Sequence, residues 1–367
     1  DMSVDNKIML VACIVFVALI SIPMMVSVVQ PDKKISESEK RTLQVWPVYA
    51  ESKSLQSYFA SINAYFNDHF GFRDELIELN NQIKYSLNES PVKRVIRGND
   101  DWLFLKFHDP LMSSTAVQKE ITKVDTIARI KYVEATHKQL SQKNIAYQYI
   151  VIPNKMSVYP EHLPAKYALT DINATFDFYK SKINNADGSI GFNAIDILVE
   201  NKRNEYEANV YFKNDSHWND LGAYFVYQES LRRLKQIYPH VDLALKPHLF
   251  ELRRKYSGDL AYMTGLKNRL MALEPRTSFA PCTARSSIIV VKENVSKSSC
   301  NTNATTMLLI GDSFMSGIYA YMSESVGTLY MSDQKASRAQ LQETIDELQP
   351  DVVIEILVER SLVVPLH

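Results

Sequence analysis

Apolar and polar residues follow three different patterns along the chain, and the first is an uncharged apolar run. This run extends from Ile8 to Val29 and contains 22 residues. At about 1.5 Å per residue a helix of this length measures roughly 30 Å, the thickness of a bilayer's hydrocarbon core. The run is longer than the apolar region of a signal peptide, and Val28-Val29-Gln30 offers no small-x-small cleavage site. We therefore predict an uncleaved transmembrane helix rather than a cleaved signal peptide.

The second pattern is a polar segment followed by residues at helical spacing. Residues 31–53 contain prolines and charges of both signs, which is typical of a linker. From Leu55 apolar residues recur at helical spacing, with a pause at Gly71. Residues 95–106 then predict a short hairpin with its turn at Gly98-Asn99. This part of the chain is expected to lead into a globular domain.

In the third pattern, which covers the rest of the chain, short apolar runs alternate with helical stripes. Such alternation predicts an α/β domain with a mainly parallel sheet flanked by helices. The predicted helices are Val124–Leu140, Ala174–Ile183, Ala223–Ile237, Ser313–Met322 and Arg338–Leu348. The predicted strands are Tyr147–Ile152, Ser287–Val291, Thr306–Ile310, Thr328–Met331 and Asp351–Val358.

Composition adds two limits to this picture. The chain has 367 residues, of which 46% are apolar, so it can bury a substantial core. Lys plus Arg number 41 and Asp plus Glu number 42, so the charges nearly cancel. A chain without a strong positive field is not expected to bind nucleic acid.

Charge and cysteine placement bear on the compartment. Four basic residues closely follow the apolar run and only Lys7 precedes it, which alone would keep the body in the cytoplasm, although large domains translocate largely regardless of charge. Cys13 lies inside the run. Cys282 and Cys300 are therefore either a disulfide formed in an oxidising compartment or two unrelated buried thiols.

The strongest chemical signal is Gly311-Asp312-Ser313, which joins the predicted strand Thr306–Ile310 directly to a helix. A serine at such a turn lies at the carboxyl edge of the sheet, where α/β sites form, and at a helix N-terminus that favours negative charge. Helix capping by Asp312 or Ser313 is the structural alternative. We predict Ser313 as a nucleophile.

A serine nucleophile needs a base, because its hydroxyl is nearly inert near neutral pH. Asp215 and His217 stand two residues apart just before the predicted helix Ala223–Ile237. In an extended segment residues i and i+2 point to the same side, so the Asp215 carboxylate could orient the His217 imidazole. A solvated loop before a helix cap is the alternative. With Ser313, the chain contains every member of a catalytic triad.

Three further residues are candidates for oxyanion or substrate contacts. Asn154 and Lys155 follow the strand Tyr147–Ile152 and are expected at the same sheet edge as Ser313, where Asn154 could donate to an oxyanion. Surface turn chemistry after Pro153 explains Asn154 and Lys155 equally well. Arg360 and Glu359 follow the last strand and could reach the cleft too, but an ordinary surface ion pair is the favoured interpretation of these two. Neither histidine or cysteine spacing nor a glycine-rich phosphate loop points to a metal or a cofactor, so none is expected.

Several of these motifs resemble one known family. Gly311-Asp-Ser313 resembles the first block of SGNH hydrolases, and Asp215-Ser-His217-Trp218 resembles the Asp-x-His-Trp signature of the alginate O-acetylation proteins AlgJ and AlgX. The order Asp, His, Ser along the chain also matches that group. Further matching segments are Tyr65–Arg73, Gly98–Phe104 and Ile152–Pro160. The separate SGNH blocks that supply a glycine amide and an asparagine to the oxyanion hole are not identifiable in this chain.

The resemblance implies a fold, an activity and partners. It implies an SGNH-hydrolase-like periplasmic O-acetyltransferase without a cofactor, in which Asp215 orients, His217 acts as base and Ser313 as nucleophile. The acceptor would be an exported polysaccharide, alginate-like or another exopolysaccharide, and a membrane-bound O-acyltransferase would supply acetyl groups. The chain would then be a single-pass protein of the inner membrane. The expected domains are an anchor at 1–30, a linker at 31–53 and a catalytic domain at 54–367, with 54–106 as its helical lead-in and hairpin.

Two other functions stay open at this stage. The same triad could remove acetyl groups from a glycan or from peptidoglycan, as an acetylesterase does. Alternatively, the chain could be a non-catalytic subunit of a complex that modifies polysaccharide.

Overall fold

The computed structural model describes most of the chain, in ten segments. These are residues 4–30, 32–36, 41–106, 116–167, 190–245, 250–277, 289–292, 295–300, 303–333 and 338–363. The chain forms two compact units, Asp1–Val95 with Ala261–Arg269 and Ile96–Leu260 with Leu270–His367. The predicted boundaries of anchor, linker and catalytic domain stay predictions. The predicted helix Ala174–Ile183 and Cys282 lie outside the described residues.

The first unit begins with the apolar helix α1 (Val4–Val29). Its segment Asp5–Ser27 has a mean hydropathy of 2.8 and is long and apolar enough to cross a membrane or to serve as a signal sequence. Pro23 lies inside this helix. Two short paired strands and two helices follow: β1 (Ile35–Ser36), β2 (Arg41–Thr42), α2 (Leu55–Asp68) and α3 (Arg73–Ser86).

The predicted helical stripe after residue 54 is confirmed as α2 and α3. Ser54 starts α2 with a capping box, in which its Oγ accepts from Ser57 N while Ser57 Oγ accepts from Ser54 N. Two otherwise unpaired amides at the helix start are satisfied in this way. The predicted hairpin is present too, as β3 (Val95–Arg97) and β4 (Leu103–Leu105), but its turn is a 3-10 segment at Asn99–Asp101 instead of a two-residue turn.

A seven-stranded sheet forms the core of the second unit, and its strand order is β6-β5-β13-β11-β12-β10-β9. The five strands from β6 to β12 run parallel, and β10 and β9 extend the sheet antiparallel. The predicted α/β fold with a mainly parallel sheet is therefore confirmed. The strands are β5 (Ala146–Ile152), β6 (Gly191–Asn193), β9 (Ile289–Lys292), β10 (Val295–Ser299), β11 (Thr306–Gly311), β12 (Thr328–Asp333) and β13 (Val352–Val358), and a separate antiparallel pair is β7 (Phe250–Tyr256) with β8 (Ala272–Thr277).

Helices cover both faces of the sheet. They are α4 (Ala116–Gln142), α5 (Lys155–Val158), α6 (Ile195–Glu200), α7 (Asp220–Ile237), α9 (Met315–Ser325) and α10 (Arg338–Leu348), while the short helix α8 (Asp259–Met263) lies between β7 and β8 along the chain. Alternate residues of β11 enter opposite cores: Leu309 packs with residues of α7 and α9, and Leu308 with residues of α4 and α10. Burial on both faces explains why the central strands are continuous apolar runs.

Three neighbouring parallel strands place the candidate residues at one edge. Because β5, β13 and β11 run in the same direction, their carboxyl ends meet at the same edge of the sheet. Asn154 and Lys155 follow β5, Glu359 and Arg360 follow β13, and Ser313 follows β11. The Asp215–His217 segment reaches Ser313 from the loop before α7, as the hydrogen bonds below show.

Candidate active site

Ser313 lies in a tight turn directly after β11. A Cβ on Gly311, the last residue of the strand, would lie 2.6 Å from the carbonyl oxygen of Ile356 on β13. Only glycine fits this close approach of the two backbones. The glycine of the Gly-Asp-Ser motif therefore sets how Ser313 leaves the sheet.

Asp312 fixes the geometry of the same turn. Its Oδ1 accepts from Phe314 N at 2.9 Å, and its Oδ2 accepts from Val358 N, at the end of β13, at 2.9 Å. The helix α9 then begins at Met315 and not at Ser313 as predicted, because the turn closed by Asp312 occupies the two residues in between. Asp312 thus ties the Ser313 turn to the neighbouring strand.

The structure brings Ser313, His217 and Asp215 into one hydrogen-bonded chain. His217 Nε2 lies 2.7 Å from Ser313 Oγ, and His217 Nδ1 lies 2.7 Å from Asp215 Oδ1. Asp215 Oδ1 also accepts from the backbone amide of His217 at 3.0 Å. Because a carboxylate can only accept, Nδ1 carries the proton and Nε2 is free to accept the serine proton. This arrangement can perform general-base activation of a hydroxyl.

The environment of Asp215 keeps its carboxyl group ionised. Burial alone would raise its pKa, but hydrogen bonds from the side chain and backbone of His217 and from Asp259 N hold the pKa of Asp215 well below its usual range. Asp259 N, the first amide of α8, donates to Asp215 Oδ2 at 2.9 Å. The carboxylate therefore remains negative and can stabilise an imidazolium on His217.

Asp259 is a residue of the site that the sequence analysis missed. Its Oδ1 accepts from Ser216 N at 2.7 Å and its Oδ2 accepts from Ser216 Oγ at 2.6 Å. Oδ2 also lies 3.8 Å from His217 Nδ1. Burial and the nearby Asp215 raise the pKa of Asp259. No spacing relative to His217 marks this residue, since the pairing joins segments 43 residues apart.

Asp215, His217 and Asp259 each offer one potential metal-ligand atom, and these three atoms lie within 4.8 Å of one another, close enough to bind one metal ion. However, His217 Nδ1 donates to Asp215 Oδ1, and both Asp259 oxygens accept from Ser216. A metal at this point would replace those hydrogen bonds. The contacts present are those of an oriented histidine base.

Lys155 supports the loop that carries Asp215. Its buried ammonium donates to the carbonyl oxygens of Phe212 at 3.0 Å, Lys213 at 3.2 Å and Asp215 at 2.6 Å. Burial lowers the pKa of Lys155 to about 7. Lys155 was predicted to contact an oxyanion or substrate, but its described hydrogen bonds go to backbone carbonyls, and its ammonium also lies over the Trp102 and Phe104 rings.

Asn154 and Arg360 contact each other at the same edge of the sheet. Arg360 Nη1 donates to Asn154 Oδ1 at 3.2 Å, and the guanidinium lies 5.1 Å from the centre of the Phe314 ring. Glu359 is buried and accepts from Asn154 N and Ser157 Oγ, both at 2.8 Å. Glu359 is buried and Arg360 is only partly exposed, so the two residues are not an ordinary surface ion pair.

An open cleft of about 280 Å³ lies above Ser313 and His217. Among the residues that the structure describes, it is lined by Phe212, Asp215, His217, Trp218, Asn219, Asp220, Arg276, Ser313, Ser316 and Gly317. Asn154, Lys155 and Arg360 are not among these residues. Arg276, from β8, was also missed from sequence; it pairs with Asp220 at 3.2 Å.

A family model matches the part of the chain that holds these residues. Residues 95–326, more than half of the chain, match the model described as the SGNH hydrolase-like domain of the acetyltransferase AlgX. The matched range includes Asp215, His217 and Ser313. No curated protein matches the sequence.

Solved structures share the fold at low sequence identity. PatB1 of Bacillus cereus superposes with a TM-score of 0.53 at 16% identity, covering 73% of this chain and 96% of its own. The O-acetyltransferase domain of Pseudomonas putida AlgJ superposes with a TM-score of 0.50 at 16% identity, covering 74% of this chain and 93% of its own. These likenesses concern the fold, and the family follows from the matched model: the chain belongs to the SGNH hydrolase-like acetyltransferase family of AlgX.

Proposed function

We propose that this chain is an O-acetyltransferase that carries an acetyl group on Ser313 and passes it to hydroxyl groups of an exported polysaccharide. The observation that carries the proposal is the hydrogen-bonded chain from Asp215 through His217 to Ser313, with both links at 2.7 Å. It lies in a domain of an acetyltransferase family, at the sheet edge where α/β enzymes form their sites.

The first half of the reaction loads the serine. His217 Nε2 takes the proton of Ser313 Oγ while Oγ forms a bond to the acetyl carbon of the donor. The carbonyl oxygen of the donor becomes an oxyanion. When the oxyanion collapses, the bond to the leaving group breaks, and the leaving group takes the proton from His217.

The second half of the reaction transfers the acetyl group from Ser313 to the sugar. A sugar hydroxyl gives its proton to His217 Nε2 and attacks the acetyl carbon on Ser313. The bond to Ser313 Oγ then breaks, and His217 returns the proton to that oxygen. Asp215 stays ionised throughout and stabilises the imidazolium that forms twice in each cycle.

Stabilisation of the oxyanion is assigned to the turn around Ser313. We expect the Ser313 backbone amide to donate, and one such donor is typically worth about 2.7–4 kcal/mol. Lys155 would act through the Asp215 loop that it holds, and Asn154 and Arg360 through the packing around Phe314. In this proposal Lys155, Asn154 and Arg360 position the segments that carry Asp215 and Ser313, whereas the sequence predicted direct contacts to the oxyanion or substrate.

The proposed setting is the outer face of the inner membrane. The helix α1 is long and apolar enough to anchor the chain, and Cys300 is disulfide-bonded, as is common in oxidising compartments. A membrane-bound O-acyltransferase would supply acetyl groups there. The acceptor would be alginate or another exopolysaccharide, for which the open cleft leaves room.

An acetylesterase is the second candidate, and the exposure of the site favours it. Ser313 is exposed and the His217 side chain is 27% exposed, so water can reach the acetyl carbon. Transfer requires that a sugar hydroxyl outcompete this water. The two functions differ only in the acceptor of the second half-reaction.

The experiment supplies a chromogenic acetyl ester to the purified full chain, with and without soluble glycans. Uronic acid, neutral and amino-sugar oligomers are tested separately, and the acetyl group is followed by mass spectrometry. A transferase acetylates at least one oligomer class and turns over faster in its presence. Release of acetate alone, at the same rate with every glycan, would identify an esterase.

A non-catalytic role is tested in cells. If the chain only assembles other enzymes, a His217→Ala variant that accumulates normally will support full acetylation of the polymer. The proposal predicts that acetylation is lost. Equal acetylation in wild-type and variant cells would contradict it.

A further inference from the structure

Helix α2 exposes a stripe of large apolar side chains. Leu55, Phe59 and Phe66 lie at positions i, i+4 and i+11, which places them within about 40° of one another around a helix of 3.6 residues per turn. They are 60%, 62% and 50% exposed. Residues on the apolar segment of α1 show similar values, for example Ile14 at 58%. A soluble helix normally turns such a stripe toward a core.

Helix α3 repeats the feature. Leu76, Leu79 and Ile83 lie at positions i, i+3 and i+7 and share one side of the helix. All three are exposed, whereas Asn81 and Tyr85 of the same helix are buried. Both helices thus leave an apolar face uncovered within the first unit.

The corner between α2 and α3 packs against the end of the apolar span. A Cβ on Gly71 would lie 2.1 Å from the carbonyl oxygen of Pro23 and 2.9 Å from Val26 Cβ. Pro23 and Val26 belong to the last two turns of the segment Asp5–Ser27. The corner is therefore level with the end of that segment.

Polar contacts also join α2 and α3 to the residues that follow α1. Tyr65 on α2 donates its hydroxyl to the Asp32 carboxylate at 2.9 Å, and Lys33 pairs with Asp74 on α3 at 2.6 Å. Asp32 and Lys33 come within six residues of the end of the apolar segment. Both helices are held to the chain as it leaves α1.

Aromatic side chains concentrate at this level. Trp46 is 54% exposed and packs edge-to-face on Tyr65 at 5.0 Å and on Phe66 at 6.1 Å between ring centres. Phe70 and Phe72, in the corner itself, are also exposed. Tryptophan and other amphipathic rings are enriched where a membrane-spanning helix meets the headgroup region.

We propose that the α2–α3 corner is a second membrane contact, inserted in the interface of the bilayer that α1 spans, with Trp46 and the corner phenylalanines at headgroup depth. The occupant of the uncovered surface is lipid, because the corner that joins the two helices packs on the last two turns of a helix whose own surface would face lipid. The proposal depends on α1 being a membrane span and not on the acetyl-transfer chemistry. A membrane-embedded protein covering the same surface is the alternative outcome.

Trp46 offers a direct probe of this contact. The chain has three tryptophans, and the other two, Trp102 and Trp218, are buried in the second unit at 3% and 2% exposure. The full chain is reconstituted in vesicles of pure phospholipid carrying bromine on the acyl chains, either near the headgroup or deep in the bilayer. Bromine quenches tryptophan fluorescence only on close approach.

The proposal predicts quenching relative to unbrominated vesicles, stronger with shallow than with deep bromine. The matched Trp46→Phe variant should lose this quenching and keep the remaining emission. Equal emission in brominated and plain lipid would overturn the proposal, and would leave the surface to water or to a protein partner absent from the vesicles. Quenching that persists unchanged in Trp46→Phe would overturn it as well.

Discussion

Asn214 and Asp215 pack so closely on Gly258 that position 258 has no room for a side chain. A Cβ at this position would lie 2.3 Å from Asp215 Cβ and 2.7 Å from Asn214 O. Gly258 N also donates to Asn214 Oδ1 at 3.1 Å, so the two segments are closely joined. The position of the orienting carboxylate therefore depends on a residue with no side chain.

A Gly258→Ala substitution should accordingly displace Asp215 and lengthen its 2.7 Å hydrogen bond to His217. Because a shift of about 1 Å in a catalytic group can cost roughly 100-fold in rate, we expect a fall of that order in kcat with a chromogenic acetyl ester. The neighbouring Ser257→Ala variant is the matched control. An unchanged kcat in Gly258→Ala would show that Asp215 is not held from this side.

Glu274 makes a prediction about stability and pH. It is buried and accepts from Lys213 N at 3.0 Å, and burial raises its pKa from 4.5 to about 7. The folded protein therefore keeps a proton that the unfolded chain loses near pH 4.5. This contribution to stability is full below that pH and is lost as the pH rises through about 7.

Glu274→Gln keeps the acceptor for Lys213 N but cannot ionise. From the acid to the alkaline side of this window, the free energy of unfolding of the variant should rise relative to that of the wild type by on the order of 3 kcal/mol. Thermal unfolding of both proteins across the window measures the difference. A difference that does not change with pH would contradict the buried, proton-binding role of Glu274.

The sequence predicted the residues whose signal is local. Asp215 and His217 stand two residues apart and Ser313 ends an apolar strand, so short-range geometry was enough to select them. Asp259 and Arg276 carry no such local signal, because they reach the site through tertiary packing of α8 and β8. Lys155 was placed correctly at the sheet edge, but its burial against three carbonyls could not be predicted from its neighbours in sequence.

At the scale of elements, the site depends on how the start of α7 meets the start of α9. Trp218 Nε1, just before α7, donates to Phe314 O, just before α9, at 3.1 Å. A Cβ on Gly317 would lie 2.3 Å from the same nitrogen. The segment that carries His217 and the turn that carries Ser313 are thereby held together.

Trp218→Phe removes this hydrogen bond and keeps a large aromatic ring. The carbonyl of Phe314 then keeps only the Gly317 amide as a donor, at 3.2 Å, so the loss of one hydrogen bond should cost about 0.5–1.5 kcal/mol of stability. We expect a lower Tm together with a lower kcat, since the distance from His217 to Ser313 is no longer fixed. Trp46→Phe, which replaces an exposed tryptophan, is the control, and equal values in the two variants would contradict this role.

The elements with a strong apolar pattern were predictable, and several polar or mixed strands were not. The strands β5, β11, β12 and β13 and the helices α7 and α10 match their predicted spans to within three residues at each end, because their apolar periodicity is strong. The polar strand β10 and the pair β7 and β8 were missed. Their sequences are charged or mixed, and their strand character depends on partners distant in the chain.

At the scale of the whole molecule, the side of the membrane on which the site lies follows from the proposed function. The basic residues after α1 favour a cytoplasmic body by the positive-inside rule, whereas the disulfide at Cys300 favours an oxidising compartment. We expect export, because large domains translocate largely regardless of flanking charge.

Alkaline phosphatase and green fluorescent protein fused in turn to the C-terminus test this orientation. Export predicts an active phosphatase, which needs its own disulfides, and a dark fluorescent protein. The reverse pair of results would place the site in the cytoplasm and contradict the assignment to an exported polysaccharide.

The central claim is that Ser313 carries the acetyl group. Brief reaction of the full chain with an acetyl ester, an acid quench and peptide mass spectrometry should show one added acetyl group on the peptide that contains Ser313. The adduct should be absent from Ser313→Ala and present in Ser323→Ala, which changes a buried serine of helix α9 outside the cleft. An adduct that persists in Ser313→Ala, or turnover by that variant at the wild-type rate, would contradict the account.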